Sequence, residues 1–269
     1  MTARRALVTG ARGAFGTAVC AELRSRGWRV AALDLAASEE DPDSFACDVT
    51  SDSDVAAVVP RAIEHLGGLD AVIANAGIGG PASAGEPPTD RVRQMLEVNL
   101  LGAWRVVAAS IDSLVESRGR VVLVGSRMSF LGLPLGAAYG VSKRALTAYA
   151  DALRAEYGTH VSVTCIHPAF VRTPIHDATR DAGLKLEGFS HEEPLPEVVA
   201  RMIEACESDK PGRDVAVTRG GRLQLAAARH LPGLVDRVVA SRLKKAIAAG
   251  DLDDAELARG LRERHGRRA

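Results

Sequence analysis

The amino-acid sequence predicts an α/β protein with a doubly wound parallel sheet of about seven strands, helices on both faces and a helical C-terminal extension. Two observations carry this prediction. Short apolar runs without alternation, typical of strands buried on both faces, recur along the chain, and segments of helical periodicity separate them. The chain also begins with an apolar strand, a glycine-rich turn and a helix, in that order.

The opening strand Arg5-Ala6-Leu7-Val8-Thr9 breaks into the turn Gly10-Ala11-Arg12-Gly13-Ala14-Phe15-Gly16. In such a turn the glycines let backbone N–H groups approach a pyrophosphate, and the following helix presents its positive end to it. The second strand-like run, residues 28–33, is followed by Asp34. A carboxylate there accepts hydrogen bonds from ribose hydroxyls and repels a 2′-phosphate. The order indicates a dinucleotide site, and the alternative is a glycine turn followed by a surface aspartate.

The remaining elements alternate in the same way. The further strand-like runs are residues 45–49, 69–74, 119–126, 160–166 and 214–218. The helical patterns between them are residues 52–66, 90–117, 136–156 and 197–207. Right-handed crossovers place the carboxyl ends of the strands at one edge of the sheet, where ligands bind. We therefore expect a dinucleotide-binding and catalytic domain over residues 1–218, with residues 219–269 as a helical extension of the same domain.

Tyr139 and Lys143 lie four residues apart in a helical pattern, so their side chains should project from one face. A neighbouring cation favours the phenolate and should lower the pKa of the tyrosine toward the range of a general acid or base. Taken alone, a Tyr/Lys pair on a helix is more often a solvated surface pair. The motifs around it decide between these alternatives.

Composition excludes several function classes. Lys and Arg balance Asp and Glu at 34 each, which argues against nucleic acid as a partner. No run approaches the ~18 uncharged apolar residues of a membrane span, and the first strand begins too early to leave room for a signal peptide. The four cysteines have no CxxC spacing, which predicts reduced, buried thiols and a cytoplasmic protein. His176 and His191 lack the spacing of metal ligands, so no metal site is expected.

Taken together, these motifs resemble the short-chain dehydrogenase/reductase superfamily, specifically its shorter, single-domain subgroup with a Rossmann-type fold. The resemblance extends from residue 4 to about 218. Beside the glycine turn, the matching segments are Asp48-Val49, Asn75-Ala76-Gly77, Asn99, Ser126, Tyr139, Lys143 and the run His167-Pro168-Ala169-Phe170-Val171-Arg172-Thr173. Ser126 stands thirteen residues before Tyr139, as in the family.

The resemblance implies a role for each residue. Tyr139 exchanges a proton with the substrate oxygen, Ser126 orients that oxygen, Lys143 lowers the pKa of Tyr139, and Asn99 holds a water linked to Lys143. Thr173 positions the nicotinamide carboxamide. The residues that the resemblance assigns to cofactor binding are Gly10, Arg12, Gly13, Ala14, Phe15, Gly16, Asp34, Asp48, Val49, Asn75, Ala76, Gly77, Tyr139, Lys143, Pro168, Val171 and Thr173.

Two positions depart from the family pattern. Ala14 stands where the shorter members usually have glycine, and its methyl group lies close to the expected diphosphate. Ala169 also replaces a usual glycine, and it is comfortable only with a negative φ.

The expected function is hydride transfer between a nicotinamide cofactor, NAD in preference to NADP because of Asp34, and a secondary alcohol or ketone. Arg12 could instead bind a 2′-phosphate, which leaves an NADP-dependent carbonyl reductase as an alternative. A non-catalytic dinucleotide-binding sensor is a further alternative. The family also implies a homodimer or homotetramer formed through the helices near residues 90–117 and 136–157.

Apolar residues around the expected substrate site predict an apolar or ring-containing substrate. They lie between Ser126 and Tyr139 and in the segment 174–194, and they are Phe130, Leu131, Leu133, Leu135, Ile175, Leu184, Leu186 and Phe189.

The C-terminal tail is basic. From Thr218 onward it has 12 Arg or Lys against 6 Asp or Glu, which is +6 in a chain of zero net charge. Helical spacing is present at residues 223–231, 234–247 and 251–264. Three interpretations remain open: packing on the body or a subunit interface, a lid over the substrate entrance, and attachment to an anionic membrane.

Overall fold

A computed structural model of the protein describes residues 3–184 and 192–266. Its centre is a seven-stranded parallel sheet in the order β3-β2-β1-β4-β5-β6-β7, which confirms the predicted fold class. The strands are β1 (Arg5–Thr9), β2 (Arg29–Asp34), β3 (Ser44–Ala46), β4 (Ala71–Ala74), β5 (Arg120–Val124), β6 (Ser162–His167) and β7 (Asp214–Ala216). The helices are α1 (Ala14–Ser25), α2 (Asp52–Leu66), α3 (Asp90–Leu96), α4 (Ala103–Ser117), α5 (Ala137–Tyr157), α6 (Asp177–Asp181), α7 (Leu195–Glu207), α8 (Arg219–His230), α9 (Pro232–Ala248) and α10 (Arg259–Gly266).

Each face of the sheet is covered by its own layer of helices. On one face α2, α4 and α5 pack in a core that includes Leu7, Val72 and Leu123. On the other face α1 and α7 pack against Val8 and Ile73. The central strands carry apolar side chains on both faces of the sheet because both faces are buried. Their sequences therefore show no alternation of apolar and polar residues.

Hydroxyl side chains fix where several helices begin. The Ser51 hydroxyl accepts the N–H of Asp54 at 3.2 Å, and the Thr89 hydroxyl accepts that of Val92 at 3.4 Å. Thr218 does the same for Gly221 at 3.1 Å. Each bond satisfies a backbone donor that has no partner within its helix.

The long helical pattern over residues 90–117 contains a π-helical segment, Glu97–Gly102, between α3 and α4. By length and composition this stretch could cross a membrane, with a mean hydropathy of 1.3 in its most apolar window. Glu97 and Arg105 interrupt the stretch, so it is not the uncharged apolar run whose absence the sequence predicts. Val106, Val107 and Leu114 are nevertheless fully buried against the sheet, so the stretch packs here as a core helix.

Three predicted boundaries are wrong. The third and seventh strands are shorter than predicted, so Asp48-Val49 follow β3 and do not belong to it. The predicted helix over 251–264 is a turn, then a 3₁₀ turn at Glu256–Ala258, then α10. Acidic residues at 251–256 suit a helix start, but the backbone first reverses direction through Gly250, which has a φ of 76°.

The tail packs on the body of the protein. Leu243 of α9, Leu252 and Ala258 form a small apolar cluster with Leu135 and Leu184. Leu135 lies between Ser126 and Tyr139, and Leu184 belongs to the predicted substrate segment. Packing on the body is therefore observed, on the side of the predicted substrate site. The predicted contacts Leu186 and Phe189, together with His191, lie outside the described residues.

Candidate active site

A cavity of about 650 Å³ opens at the carboxyl ends of β1 to β6. Most of the predicted site residues line it: Gly10, Arg12, Gly13, Ala14, Phe15, Asp34, Asp48, Val49, Asn75, Ala76, Gly77, Ser126, Tyr139, Lys143, Pro168, Val171 and Thr173. The two other predicted residues, Gly16 and Asn99, are buried and are not among the lining residues.

The turn after β1 requires glycine at two positions. Gly10 has a φ of 62°, and a Cβ on it would lie 2.8 Å from the Cα of Ala76. A Cβ on Gly16 would lie 2.1 Å from the carbonyl oxygen of Gly10, which no L side chain tolerates. Gly13 precedes α1, and Ala14 is its first helical residue. The turn and the start of α1 therefore form a backbone cradle suited to a diphosphate.

The cradle is tied to the loop after β4. The Thr9 hydroxyl accepts the backbone N–H groups of Asn75 at 3.1 Å and Ala76 at 3.0 Å. The Asn75 amide donates in return to the carbonyl oxygens of Thr9 and Gly10, at 3.0 and 3.1 Å. These four bonds hold the two loops as one rigid unit.

Asp34, at the end of β2, is bound to the turn through the backbone. One carboxylate oxygen accepts the N–H of Arg12 and the other that of Leu35, both at 2.8 Å. The Arg12 guanidinium donates instead to the carbonyl oxygen of Ala36 at 3.4 Å. Within residues 3–184 and 192–266, no ion pair joins Arg12 to Asp34. The carboxylate thus lines the cavity with its negative charge uncompensated by that arginine.

Asp48 and Val49 line the cavity from the loop after β3. Asp48 accepts the N–H of Thr50 at 2.9 Å and its hydroxyl at 2.7 Å. Its side chain therefore shapes the turn into α2. Neighbouring Cys47 and Thr50 also line the cavity, and sequence reasoning missed both.

Tyr139 and Lys143 project from one face of α5, with the Lys143 ammonium 5.8 Å from the centre of the tyrosine ring. Burial raises the pKa of Tyr139 to about 12, against an opposing hydrogen bond with Ser126. Burial also lowers the pKa of Lys143 to about 8, although nearby Cys165 acts in the other direction. The pKa of Tyr139 is therefore raised in this structure, opposite to the direction expected from its proximity to Lys143. Loss of solvation dominates, and the ammonium donates to the Val124 carbonyl oxygen at 2.8 Å.

Asn99 lies in the π-helical segment and is fully engaged inside the protein. Its amide donates to the Ile78 carbonyl oxygen and to the Ser142 hydroxyl, both at 3.0 Å, and its carbonyl oxygen accepts the N–H of Ile78 at 2.8 Å. The amide oxygen keeps a second lone pair, so the predicted role of Asn99 in holding a water stays a prediction. A Cβ on Gly77 would lie 3.3 Å from the Asn99 carbonyl oxygen and 3.4 Å from the Lys143 nitrogen, so the three residues meet.

The segment after β6 accommodates its alanine. Among the described residues, positive φ outside glycine is confined to Arg118 and Leu135, so Ala169 is unstrained. The Ala169 N–H donates to the carboxylate of Glu193 at 2.7 Å, and Pro168 accepts the N–H of Arg127 at 2.9 Å.

A buried ion pair lies beside Ser126, and the sequence did not predict it. Arg127 and Glu193 lie 3.3 Å apart, with side chains 6% and 0% exposed. Burial lowers the pKa of Arg127, and the Glu193 carboxylate partly offsets this. The Thr218 hydroxyl donates to Glu193 at 3.2 Å, and Arg127 donates to Gln224 of α8 at 3.0 Å. The pair therefore joins the loops after β5 and β6 to the start of the tail. Charged residues are mostly exposed, and nothing local in the sequence marks these two as buried.

Cys165, His167 and Asp214 form a second buried cluster, with ligand atoms within 4.8 Å of one another. The His167 ring lies 3.2 Å from the Asp214 carboxylate and 3.3 Å from the Ser126 carbonyl oxygen. Arg229 and Arg154 approach the same carboxylate at 3.2 and 3.8 Å. Because two guanidinium groups already neutralise Asp214, we still expect no metal here.

Comparison with known proteins agrees with this geometry. The family model described as short chain dehydrogenase matches residues 4–183. An oxidoreductase of Myxococcus xanthus is 37% identical over 190 residues, covering 65% of this chain and 75% of its own. The 2,5-dichloro-2,5-cyclohexadiene-1,4-diol dehydrogenase of Sphingobium indicum is 28% identical, covering 70% and 81%. A short chain dehydrogenase from Burkholderia cenocepacia, solved in complex with NADP, shares the fold with a TM-score of 0.74 at 22% identity, covering 88% and 97%.

The family model alone matches well over half of the chain. This protein therefore belongs to the short-chain dehydrogenases and is an oxidoreductase of that family.

Proposed function

We propose that the protein transfers a hydride between a nicotinamide dinucleotide, preferably NAD, and a secondary alcohol or ketone that is apolar or ring-containing. One observation carries the proposal. Ser126, Tyr139 and Lys143 line the same cavity as the glycine turn and Asp34. An acid/base group, its orienting partners and a dinucleotide cradle thus share one cavity.

Each residue of the site has its own role in the proposed reaction. Bound nicotinamide supplies the hydride acceptor or donor. Tyr139 gives a proton to the substrate oxygen on reduction and takes it on oxidation. Ser126 holds that oxygen beside the phenol, which is an orientation effect. The Lys143 ammonium would bind the ribose hydroxyls of the cofactor, and Asn99 keeps Ile78 fixed against α5.

Cofactor preference rests on Asp34. Its carboxylate lines the cavity where an adenosine ribose would lie, and a 2′-phosphate there would be repelled. The exposed Arg12 guanidinium lines the same part of the cavity and favours the second candidate, an NADP-dependent carbonyl reductase. The glycine turn would hold the diphosphate of either cofactor, and Thr173 would hold the carboxamide.

The substrate class rests on the lining near Tyr139. Met128, Leu131, Leu133 and Ile175 contribute apolar surface to the cavity. A phosphorylated sugar would find few partners there. The relative named for a cyclohexadiene diol agrees with a ring-containing substrate.

We further propose a homodimer or homotetramer formed through α4 and α5. Trp104 on α4 and Val141 on α5 are 50% and 57% exposed, which leaves apolar surface on these two helices for a second subunit. All four cysteines are free and buried, which supports a reducing, cytoplasmic setting. Size-exclusion chromatography with light scattering, comparing wild type with Trp104→Ala, tests the assembly.

The first experiment is a titration of the protein with NADH and NADPH, followed by nicotinamide fluorescence. Tighter NADH binding supports the proposal, and a screen of secondary alcohols with NAD then follows. Tighter NADPH binding favours the carbonyl reductase. Cofactor binding without turnover of any alcohol or ketone would indicate the non-catalytic sensor instead.

Tyr139→Phe tests the chemistry directly. We expect kcat to fall about 10²- to 10⁴-fold while NADH affinity stays unchanged, because the ring remains and only the proton donor is lost. Tyr157→Phe, at the end of the same helix, is the matched control. Near-normal turnover in Tyr139→Phe would contradict the assigned role.

A further inference from the structure

The C-terminal tail contributes two side chains to the surroundings of Tyr139. A second, small cavity of about 40 Å³ adjoins the main one and shares Met128, Leu133, Tyr139 and His176 with it. Leu243 of α9 and Leu252 of the following turn form part of its wall. The tail thus reaches the space beside the predicted reacting group.

The tail is anchored there by apolar packing. Leu243 and Leu252 are buried together with Leu135 and Leu184. Gly183 has a φ of 75°, and a Cβ on it would lie 3.0 Å from the Asp254 carbonyl oxygen, so the two backbones are in close contact. The tail therefore packs on both segments that approach the substrate site from the body.

Leu135 shows how closely this region is constrained. It has a φ of 61°, which is strained for a bulky residue. Its carbonyl oxygen accepts the N–H of Ala82 at 2.7 Å, and its side chain is buried against the tail. Such strain persists only where surrounding contacts hold it, and the tail supplies part of them.

The two leucines differ in what lies behind them. An outer groove of about 880 Å³ runs between α5, the loop at residues 83–86 and α10. Leu243 lines both the small cavity and this groove, whereas Leu252 lines the small cavity alone. Shortening Leu243 would connect the inner space with the groove, and shortening Leu252 would only enlarge the inner space.

We propose that Leu243 and Leu252 are specificity-determining residues, which close the substrate end of the active site and limit the length of the apolar substituent on the reacting carbon. This inference rests on the proposed function. A space of about 40 Å³ holds only a few atoms. Among residues 3–184 and 192–266, its lining has no Lys, Arg, Asp or Glu, so the substituent it accepts is short, uncharged and apolar.

The test uses a series of 2-alkanols, from 2-butanol to 2-decanol, with NAD. Wild type should favour the short members. Leu252→Ala should raise kcat/KM for 2-pentanol and 2-hexanol relative to 2-butanol by about 10-fold. Leu243→Ala should extend a gain of similar size as far as 2-decanol, because the chain can enter the outer groove. Leu234→Ala, an exposed leucine on the same helix, should keep the wild-type profile.

A binding measurement separates this inference from the proposed function. Saturation-transfer NMR with 2-hexanone and 2-decanone, in the presence of NAD, needs no turnover. If wild type oxidises no alcohol, the proposed function fails, but the long ketone should still bind Leu243→Ala better than wild type. If both leucine variants keep the wild-type chain-length profile in turnover or in ketone binding, the inference is overturned.

Discussion

The two halves of the cavity are built on different physical principles. The cofactor half, formed by the turn after β1, Asp34 and the loop after β4, is held by backbone geometry and short polar contacts such as those between Thr9 and Asn75. The substrate half is an apolar wall assembled from leucines of separate segments, among them Leu135, Leu184 and Leu243. The first half demands particular residues at particular spacings, whereas the second demands only suitable volume.

This difference should be largest at Gly16. Its Cβ position lies 2.1 Å from a backbone carbonyl oxygen that cannot move without opening the turn. We expect Gly16→Ala to weaken NADH binding on the order of 100-fold or more and to lower the melting temperature. Gly233→Ala on α9 is the matched control, because a Cβ there meets nothing within 4 Å. Equal NADH affinities in the two variants would mean that the turn is not rigid.

Glu193→Gln probes the junction between the halves. The exchange keeps the shape and leaves the buried Arg127 charge without its partner, so we expect the free energy of unfolding to fall by about 3 kcal/mol. Glu192→Gln is the control: Glu192 forms an exposed ion pair with Arg172, and its loss should cost about 0.5 kcal/mol or less. Urea denaturation of both variants provides the measurement. Similar losses in the two variants would show that burial of the Arg127–Glu193 pair adds nothing to the free energy of unfolding.

What sequence reasoning predicted follows the same division. The sheet, the glycine turn, Asp34 and the Tyr139–Lys143 pair were predictable because each obeys a local rule of spacing or geometry. The Arg127–Glu193 pair was not predictable, since its partners lie far apart in sequence. In a sequence, a buried charged residue also cannot be told from an exposed one. The direction of the Tyr139 pKa was wrong because solvation depends on burial, which spacing does not show.

The wall formed by the tail shows the limit of pattern reading. Helical periodicity predicted apolar faces at residues 234–247, but nothing in those residues specified Leu135 and Leu184 as their partners. An apolar side chain carries no information about which apolar surface it covers, because the hydrophobic effect is non-directional. Packing on the body or at a subunit interface, a lid over the substrate entrance and attachment to an anionic membrane were therefore all compatible with the sequence.

His167 is buried beside the backbone of Ser126 and should give the protein a pH-dependent stability. Burial opposes protonation, but Cys165 and Asp214 outweigh it and raise the pKa of His167 to about 9. In the unfolded chain the pKa of histidine is about 6.5. The contribution of His167 to the free energy of unfolding is therefore complete below pH 6.5 and is lost as the pH rises through 9. At ~1.4 kcal/mol per pKa unit, the loss amounts to at most about 3.5 kcal/mol.

His167→Gln isolates that contribution from the other titrating groups. We expect the stability difference between wild type and variant, measured by urea denaturation, to shrink steadily between pH 6 and pH 10. Asp214, Arg154 and Arg229, the charged groups beside the ring, are present in both proteins, so the charges that they contribute cancel to first order. A difference that does not change with pH would mean that His167 is neutral throughout.

Asp34→Asn gives the smallest effect and the sharpest test of the cofactor half. The amide keeps the size of the carboxylate, retains one acceptor oxygen for the N–H of Arg12 or Leu35, and removes the negative charge. Loss of a charge-assisted contact to the ribose should weaken NADH binding about 10-fold, and relief of repulsion should strengthen NADPH binding by a similar factor. Fluorescence titration with both cofactors measures the change, and Asp43→Asn, in the loop before β3, serves as the control. If the ratio of the two affinities stays constant, Arg12 and not Asp34 governs cofactor choice, and the preference for NAD loses its basis.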